Sequence, residues 1–319
     1  MFFGQIPLIH GGSLYLLTQQ CRLGAKQRLG ALALSLAATT LCGWPQLAQA
    51  APPAGDFKLV WFDEFNGSAL NTTNWSYRYL GARNDAYNVS NAVAVSGGAL
   101  AVTTYTQNGT NFTGMIGTQN KFEHAYGYWE ARIDFDSSPG MWSAFWLQSP
   151  TYGNPLGDPG TAGMEIDVME HRARNFGNSD VSGTAHLALH WDGYGVDHKT
   201  KSYDTSDLDL DIGFHTYGLL WTPTCYSFYI DGALVWTNGP LAQRTEYMIL
   251  SSEVRNNNWA GTIPVGGYGD LGSSQTKMIV DYVRVYDAVP EPTTCVLVGA
   301  GAGCLWLRRR YRRPVKRNL

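Results

Sequence analysis

The segment Met164-Glu165-Ile166-Asp167-Val168-Met169-Glu170 carries three carboxylates separated only by apolar side chains. Side chains alternate faces along a strand, so Glu165 and Asp167 share one face. Glu170 stands an odd number of steps from both and would point the other way. A β-bulge at Val168–Met169 supplies one extra residue and returns it to the same face, with Ile166 and one of Val168/Met169 turned into the core. Three like charges so placed cannot all ionise together, and their proton affinities separate. Cleavage of a glycosidic bond by two carboxyl groups needs that separation. One group is ionised to attack the anomeric carbon, and the other holds a proton for the leaving oxygen. Carboxyl groups about 5–5.5 Å apart retain the anomeric configuration, and about 6.5–9.5 Å inverts it. Four effective strand steps span about 13 Å, so the two glutamates must lean together across a concave sheet. The pattern alone leaves open which glutamate does which.

The elements that position these acids read as short strands. Alternating segments recur at Leu59–Phe62, Ala92–Val95, Ala99–Tyr105, Gly127–Phe135, Ser143–Leu147, Thr184–His190, His215–Trp221, Tyr226–Ile230, Met248–Ser252 and Met278–Tyr286. Gly97-Gly98, Asn108-Gly109 and Asp231-Gly232 punctuate them as turns. No amphipathic helical stretch competes. The prediction is an all-β, two-sheet sandwich of jelly-roll type formed by residues 51–288 as one domain. Ser149–Gly163 and Asn256–Ser274, rich in Gly or Pro, read as long loops, where binding functions concentrate.

Several stretches together carry a family resemblance. Glu165-Ile166-Asp167-Val168-Met169-Glu170 resembles the E-x-D-x-x-E signature of glycoside hydrolase family 16 in its β-bulge, laminarinase- or agarase-like form. Phe62-Asp63-Glu64-Phe65 resembles the opening strand of that family, and Tyr126–Arg132 its Y-G-x-x-E-A-R segment. Gly140–Leu147 resembles G-x-W-P-A-F-W-L, with Ser143 in place of the usual Pro. Gly183–His186, Phe214–Gly218 and Val280–Tyr286 follow in the family's order. The resemblance implies a concanavalin A-like jelly roll with an open concave cleft for internal cleavage of polysaccharides. It implies Glu165 as nucleophile, Glu170 as general acid/base, and Asp167 hydrogen-bonded to Glu165. The stretch Ile249–Val254 departs from the run common in laminarin-cleaving members.

Nine tryptophans fall within residues 51–288, and indole faces stack on the C–H faces of sugar rings. Trp142 and Trp146, four apart in one strand, share a face that the resemblance assigns to the cleft. Trp191, in a Gly-rich turn beside Asp192 and Tyr194, is a candidate rim contact, and His186 matches the family's G-T-x-H. Trp61, Trp129, Trp221 and His215 read as structural, and Cys225 as a small buried hydrophobe. No Cys/His spacing supports a catalytic metal, and no cofactor is expected for catalysis. Some members of the resembled family hold a structural calcium, to which Asp281 would contribute an oxygen ligand.

The ends of the chain have other uses. An apolar run at 29–43 follows Arg22, Lys26 and Arg28 and precedes Ala48-Gln49-Ala50, which reads as a secretory signal within residues 1–50. Residues 289–319 combine Val289-Pro290-Glu291-Pro292, an apolar run at Thr294–Leu307 and an arginine cluster, and resemble the PEP-CTERM sorting tail processed by an exosortase. The protein is therefore expected to be exported, to the periplasm, cell surface or medium, and to meet the membrane only through its two ends. Residues 51–288 hold 13 Lys and Arg against 25 Asp and Glu, a net of −12. So acidic a body disfavours nucleic acid as a partner. A monomer acting on a polysaccharide is expected: a retaining endo-β-glycanase on β-1,3 or mixed β-1,3/1,4 glucan. A β-galactan hydrolase or a transglycosylase would share its chemistry. A non-catalytic carbohydrate-binding jelly roll would keep the aromatics and dispense with the acids.

Overall fold

The computed structural model describes residues 52–53 and 55–289. The signal-like run and the Pro-Glu-Pro tail lie outside the described residues. Among those described, no helix is long and apolar enough to cross a membrane.

Alternation of apolar and polar residues gives each strand one face to bury, and the chain satisfies this by packing two antiparallel sheets together. One sheet has eight strands: seven run in the order Ala233–Asn238, Tyr226–Ile230, His215–Trp221, Gly127–Asp136, Lys277–Ala288, Ala99–Thr103, Val93–Ser96, and Phe57–Asp63 also pairs with Lys277–Ala288. The other has seven, in the order Lys199–Asp204, His186–Trp191, Glu165–Arg172, Met141–Gln148, Tyr247–Val254, Met115–Gly117, Ser76–Tyr77. The core between them takes Trp129, Ile133 and Phe135 from the first sheet and Phe145, Leu147, Ile166 and Leu250 from the second. A bidentate Arg284–Glu64 pair (2.7 and 2.8 Å) ties the last strand to the residue that follows the first. This is the expected all-β sandwich.

Phe145 is fully buried between the sheets. Phe145→Ala should therefore destabilise the protein by about 3–5 kcal/mol, through lost transfer energy and the cavity left behind. Urea unfolding checks this as a lower midpoint at unchanged slope.

Sequence reading missed several elements. Gly81–Arg83, Ala86–Asn88, Tyr105–Gln107 and Thr110–Thr113 form a separate four-stranded sheet. Each is too short for alternation to register. The Lys199–Asp204 edge strand is exposed along its whole length and has no apolar face to detect. Its lysines protect the open edge from further pairing. The Ser149–Gly163 loop is not wholly irregular: Pro159–Ala162 makes one helical turn, with Pro at its start and the Asp158 carboxylate accepting from the Thr161 N–H. Cys225 is half-buried rather than buried, its thiol among the hydroxyls of Thr222 and Ser227.

Candidate active site

The Glu165–Arg172 strand carries the bulge. Against the Met141–Gln148 strand, Trp146 faces Asp167 and Phe145 faces Met169, so Val168 is the extra residue. Against His186–Trp191, Asp167 faces Ala188 and Glu170 faces His186, which again accommodates one extra residue. Both Val168 and Met169 lie in the core, where only one of them was expected there. Two successive side chains thus turn inward, and Glu170 comes out on the face of Glu165 and Asp167.

Cross-strand pairing then sets the outer face of the seven-stranded sheet in rows. The first is Tyr247–Gln148–Glu165–His190, the second Ile249–Trp146–Asp167–Ala188, and the third Ser251–Ala144–Glu170–His186. Ala144, with only a methyl group, stands opposite Glu170 and leaves room above the carboxyl group. A cleft of about 300 Å³ opens there, lined by all three acids together with Trp142, Trp146 and Tyr194. Arg83, Asn84 and Glu253 form one wall; the Asn256–Ser274 loop contributes Asn258 and Trp259.

Each acid has a distinct environment. Glu165 is 9% exposed and Asp167 5%. Gln148 Nε2 donates to Glu165 Oε2 at 2.9 Å, and the Tyr194 hydroxyl donates to the same oxygen. His190 Nε2 lies 3.2 Å from Asp167 Oδ2, with its Nδ1 3.0 Å from His198 Nε2. Burial and the neighbouring Asp167 push the Glu165 carboxyl up to about 7, while Tyr194, His190 and Gln148 hold it down. Glu170 is raised well above the usual carboxylate range, by burial first and then by Asp167, Glu165 and Glu253. Burial opposes charge on His190, yet Asp167 and Glu165 outweigh it, and the imidazole is raised. The proton therefore resides most firmly on Glu170, and Glu165 is the easier of the two glutamates to ionise.

The aromatic residues divide. Trp142 and Trp146 line the cleft; Trp146 is 7% exposed, its Nε1 donating to Ser251 Oγ at 3.0 Å. Trp191 was expected at the rim, but its side chain packs against the core under the sheet. Alternation explains this: Trp191 is one step beyond His190 and so takes the opposite face. His186 Nδ1 pairs with Asp204 at 2.8 Å, and its ring lies 5.5 Å from that of Trp259. Trp61 stacks on Phe122, and Trp129 and Trp221 are buried, as structural residues should be. His215 Nδ1 pairs with Asp231 at 2.7 Å.

Asp281 is the extra residue of another bulge, where Arg132 faces Tyr282 and Ile133 faces Val280. Arg132 Nη1 is 2.7 Å from Asp281 Oδ2. A guanidinium already neutralises this carboxylate and would repel a cation, so the arrangement does not fit a calcium ligand. Among the described residues, ligand atoms of Glu165, Asp167 and His190 come within 4.8 Å of one another. The amide and hydroxyl donors of Gln148 and Tyr194 engage Glu165 Oε2 within this group.

Residues that sequence reading did not single out complete the site. Trp259 packs edge-on against Trp142 at 5.7 Å, and the Arg172 guanidinium lies 3.9 Å from the centre of its ring. Its signal was a lone tryptophan in a loop already read as a binding loop. Arg83 grips Glu253 with two bonds of 2.8 and 2.9 Å, and Asn84 adds a third of 2.8 Å. Glu253 and Ser251 occupy the stretch that departs from the laminarin-cleaving pattern. Ser143, the other departure, is buried and bonds Ser252 at 2.7 Å, so one changed residue satisfies the other. Tyr194 is held from behind: Asp192 accepts from the Gly157 N–H at 2.8 Å, and Tyr152 packs on the Tyr194 ring at 4.8 Å. Gly153 allows that approach, because a Cβ there would sit 2.7 Å from Gly193 Cα.

Fold and site together define a carbohydrate-active β-sandwich. The chain belongs to glycoside hydrolase family 16, with residues 61–288 matching the family described as Beta-porphyranase A-D, GH16 domain. It is 28% identical over 250 residues to the Endo-1,3-1,4-beta-glycanase ExsH of Rhizobium meliloti (strain 1021), covering 76% of this chain and 49% of that protein. It is 29% identical over 260 residues to the Keratan-sulfate endo-1,4-beta-galactosidase of Sphingobacterium multivorum, covering 72% of this chain and 55% of the relative. The chain thus spans about half the length of these curated relatives. The crystal structure of laminarinase from Flavobacterium sp. UMI-01 superimposes with a TM-score of 0.58 at 26% identity, covering 72% of this chain and all of that one.

Proposed function

We propose that this protein is a retaining endo-β-glycanase that hydrolyses internal bonds of a polysaccharide. The observation that carries the reading is the Val168 bulge, which brings Glu165, Asp167 and Glu170 out into one cleft. In the first step the Glu165 carboxylate attacks the anomeric carbon as the glycosidic C–O bond breaks, and the proton on Glu170 passes to the leaving oxygen. In the second step Glu170 takes a proton from water, whose oxygen attacks the same carbon and releases the Glu165 carboxylate. The Asp167 carboxylate lies beside both glutamates and favours the proton on Glu170. Trp142 and Trp259 offer indole faces on which sugar rings stack.

The substrate we infer is a β-1,3 or mixed β-1,3/1,4 glucan, in keeping with the glycanase named for ExsH. A β-galactan is the second reading. The match to the porphyranase domain favours it, as does the charged Arg83–Glu253 wall in the stretch that departs from laminarin-cleaving members. The signal-like N-terminus and the sorting-type tail support export, with the polysaccharide met outside the cytoplasm. Incubation with laminarin, lichenan, agarose, porphyran and carrageenan, read as reducing ends, tests the activity. Proton NMR of the first product formed should show the β anomer. Initial appearance of the α anomer would rule out double displacement.

A further inference from the structure

Beyond the three acids, a line of hydrogen bonds runs across three strands of the outer face and ends on Glu165. Arg78 Nη2 donates to the Tyr247 hydroxyl at 3.1 Å. That hydroxyl donates to Gln148 Oε1 at 2.7 Å, and Gln148 Nε2 donates to Glu165 Oε2 at 2.9 Å. Tyr247, Gln148 and Glu165 are direct register partners, so the sheet itself sets their spacing. Arg78 is fixed in turn: Nη1 donates to Gln119 Oε1 at 2.7 Å, and its guanidinium lies 4.7 Å from the centre of the Tyr247 ring. Arg78 and Gln119 line a second hollow, of about 350 Å³, beyond the far side of Tyr247.

We propose that Arg78 and Tyr247 are positioning residues that act through Gln148 to hold Glu165 Oε2, leaving Oε1 as the oxygen that attacks the sugar. This deepens the proposed hydrolase reading and rests on it.

The direction of the chain carries the argument. Every link donates toward Glu165, and the line starts at a guanidinium that does not lose its proton. Each donor therefore polarises the next, and the whole line favours the carboxylate over the carboxylic acid. A glutamine amide can turn end for end, and in the wrong orientation it would present an oxygen to Glu165. The Tyr247 hydroxyl removes that freedom by donating to Gln148 Oε1, because the hydroxyl proton is directed there while its oxygen accepts from Arg78. Tyr194 bonds the same Oε2, and its hydroxyl also accepts from Gln148 Nε2 at 2.7 Å. With Oε2 engaged by two donors, the lone pairs of Oε1 are the ones available to the anomeric carbon. During the second step the same donors stabilise the carboxylate as it departs.

The other groups facing Glu165 would be unchanged in variants of the chain. Asp167 and Glu170 come from its own strand, His190 from the next strand with His198 behind it, Tyr194 and Tyr152 from the loops, and Glu246 from beneath Met164. A change in the ionisation of Glu165 in Tyr247→Phe would therefore report the chain.

The test compares Tyr247→Phe, Arg78→Gln and Arg78→Lys with the unaltered protein in full pH profiles of kcat and kcat/KM. Laminarin is the probe, or agarose if the unaltered protein cleaves only the galactan. Tyr247→Phe should lower kcat about tenfold or more with KM changed less than about threefold, because one bond supporting a charged group is lost. Removing a donor disfavours the carboxylate, so the acidic limb should move to higher pH, by about half a unit to one unit. Arg78→Gln should move the limb the same way and Arg78→Lys less, since the charge remains. If Tyr247→Phe does not fold, the two Arg78 variants at the sheet edge carry the comparison. Folded, active variants whose acidic limb stays in place, or whose loss is confined to KM, would overturn the proposal. An unaltered protein that cleaves no glycan would instead remove the parent reading.

Discussion

Glu165→Gln abolishes turnover, by about 10⁴-fold or more, and leaves oligosaccharide binding within a few-fold of the unaltered protein. The reason is local. The amide has nearly the shape of the carboxylate and remains in the pocket formed by Gln148 and Tyr194. It carries no charge with which to form the glycosyl ester, and loss of a covalent nucleophile removes a whole route rather than one stabilising contact. The tryptophan faces that hold the sugar are untouched, so affinity survives. Calorimetric titration with laminari-oligosaccharides or agaro-oligosaccharides, beside a reducing-end assay, separates the two quantities. Hydrolysis unchanged in Glu165→Gln would remove the nucleophile assignment. Equal loss of binding and turnover would point instead to collapse of the cleft.

What the sequence disclosed about this site, and what it hid, follows from the range of the interactions. The acids were legible because strand alternation is local: Glu165 and Asp167 on one face follow from a spacing of two, and the odd position of Glu170 requires a bulge near Val168. Trp142 and Trp146 were legible for the same reason. Trp191 was misplaced although the same rule governs it. Its Gly-rich surroundings read as a turn, whereas the strand runs through it to pair Trp191 with Lys199. The partners that give each acid its character were hidden. Gln148 reaches Glu165 across 17 residues, Tyr194 across 29, and Arg83 finds Glu253 across 170. Such pairings depend on which strands become neighbours and in what register, which no short stretch of sequence encodes. The separation of the glutamates into a harder and an easier group to ionise is of this kind. The three acids alone predict that a split exists, and only their surroundings say that Glu170 keeps the proton.

That assignment gives the second large effect. Glu170→Ala should cut kcat on a polysaccharide by about 10²–10⁴-fold, the usual worth of a positioned proton donor. It should cost far less on an aryl glycoside whose phenolate leaves without a proton. Ester formation then proceeds, and hydrolysis of the ester becomes slow because no base activates water. Azide needs no base. Added azide should attack the anomeric carbon of the glycosyl-enzyme, displace the Glu165 carboxylate and yield the β-glycosyl azide with faster turnover. The alkaline limb of the pH profile should vanish as well. In the unaltered protein Glu170 donates only while protonated, and its raised ionisation, caused by burial and by Asp167, Glu165 and Glu253, means that activity falls as pH rises through that point. Without the group there is nothing to lose. Mass spectrometry and NMR of the azide product decide the matter, because an α-glycosyl azide would exchange the roles of Glu165 and Glu170. An alkaline limb surviving in Glu170→Ala would place the proton donor elsewhere in the cleft, with His190, already raised by Asp167, the next group to examine.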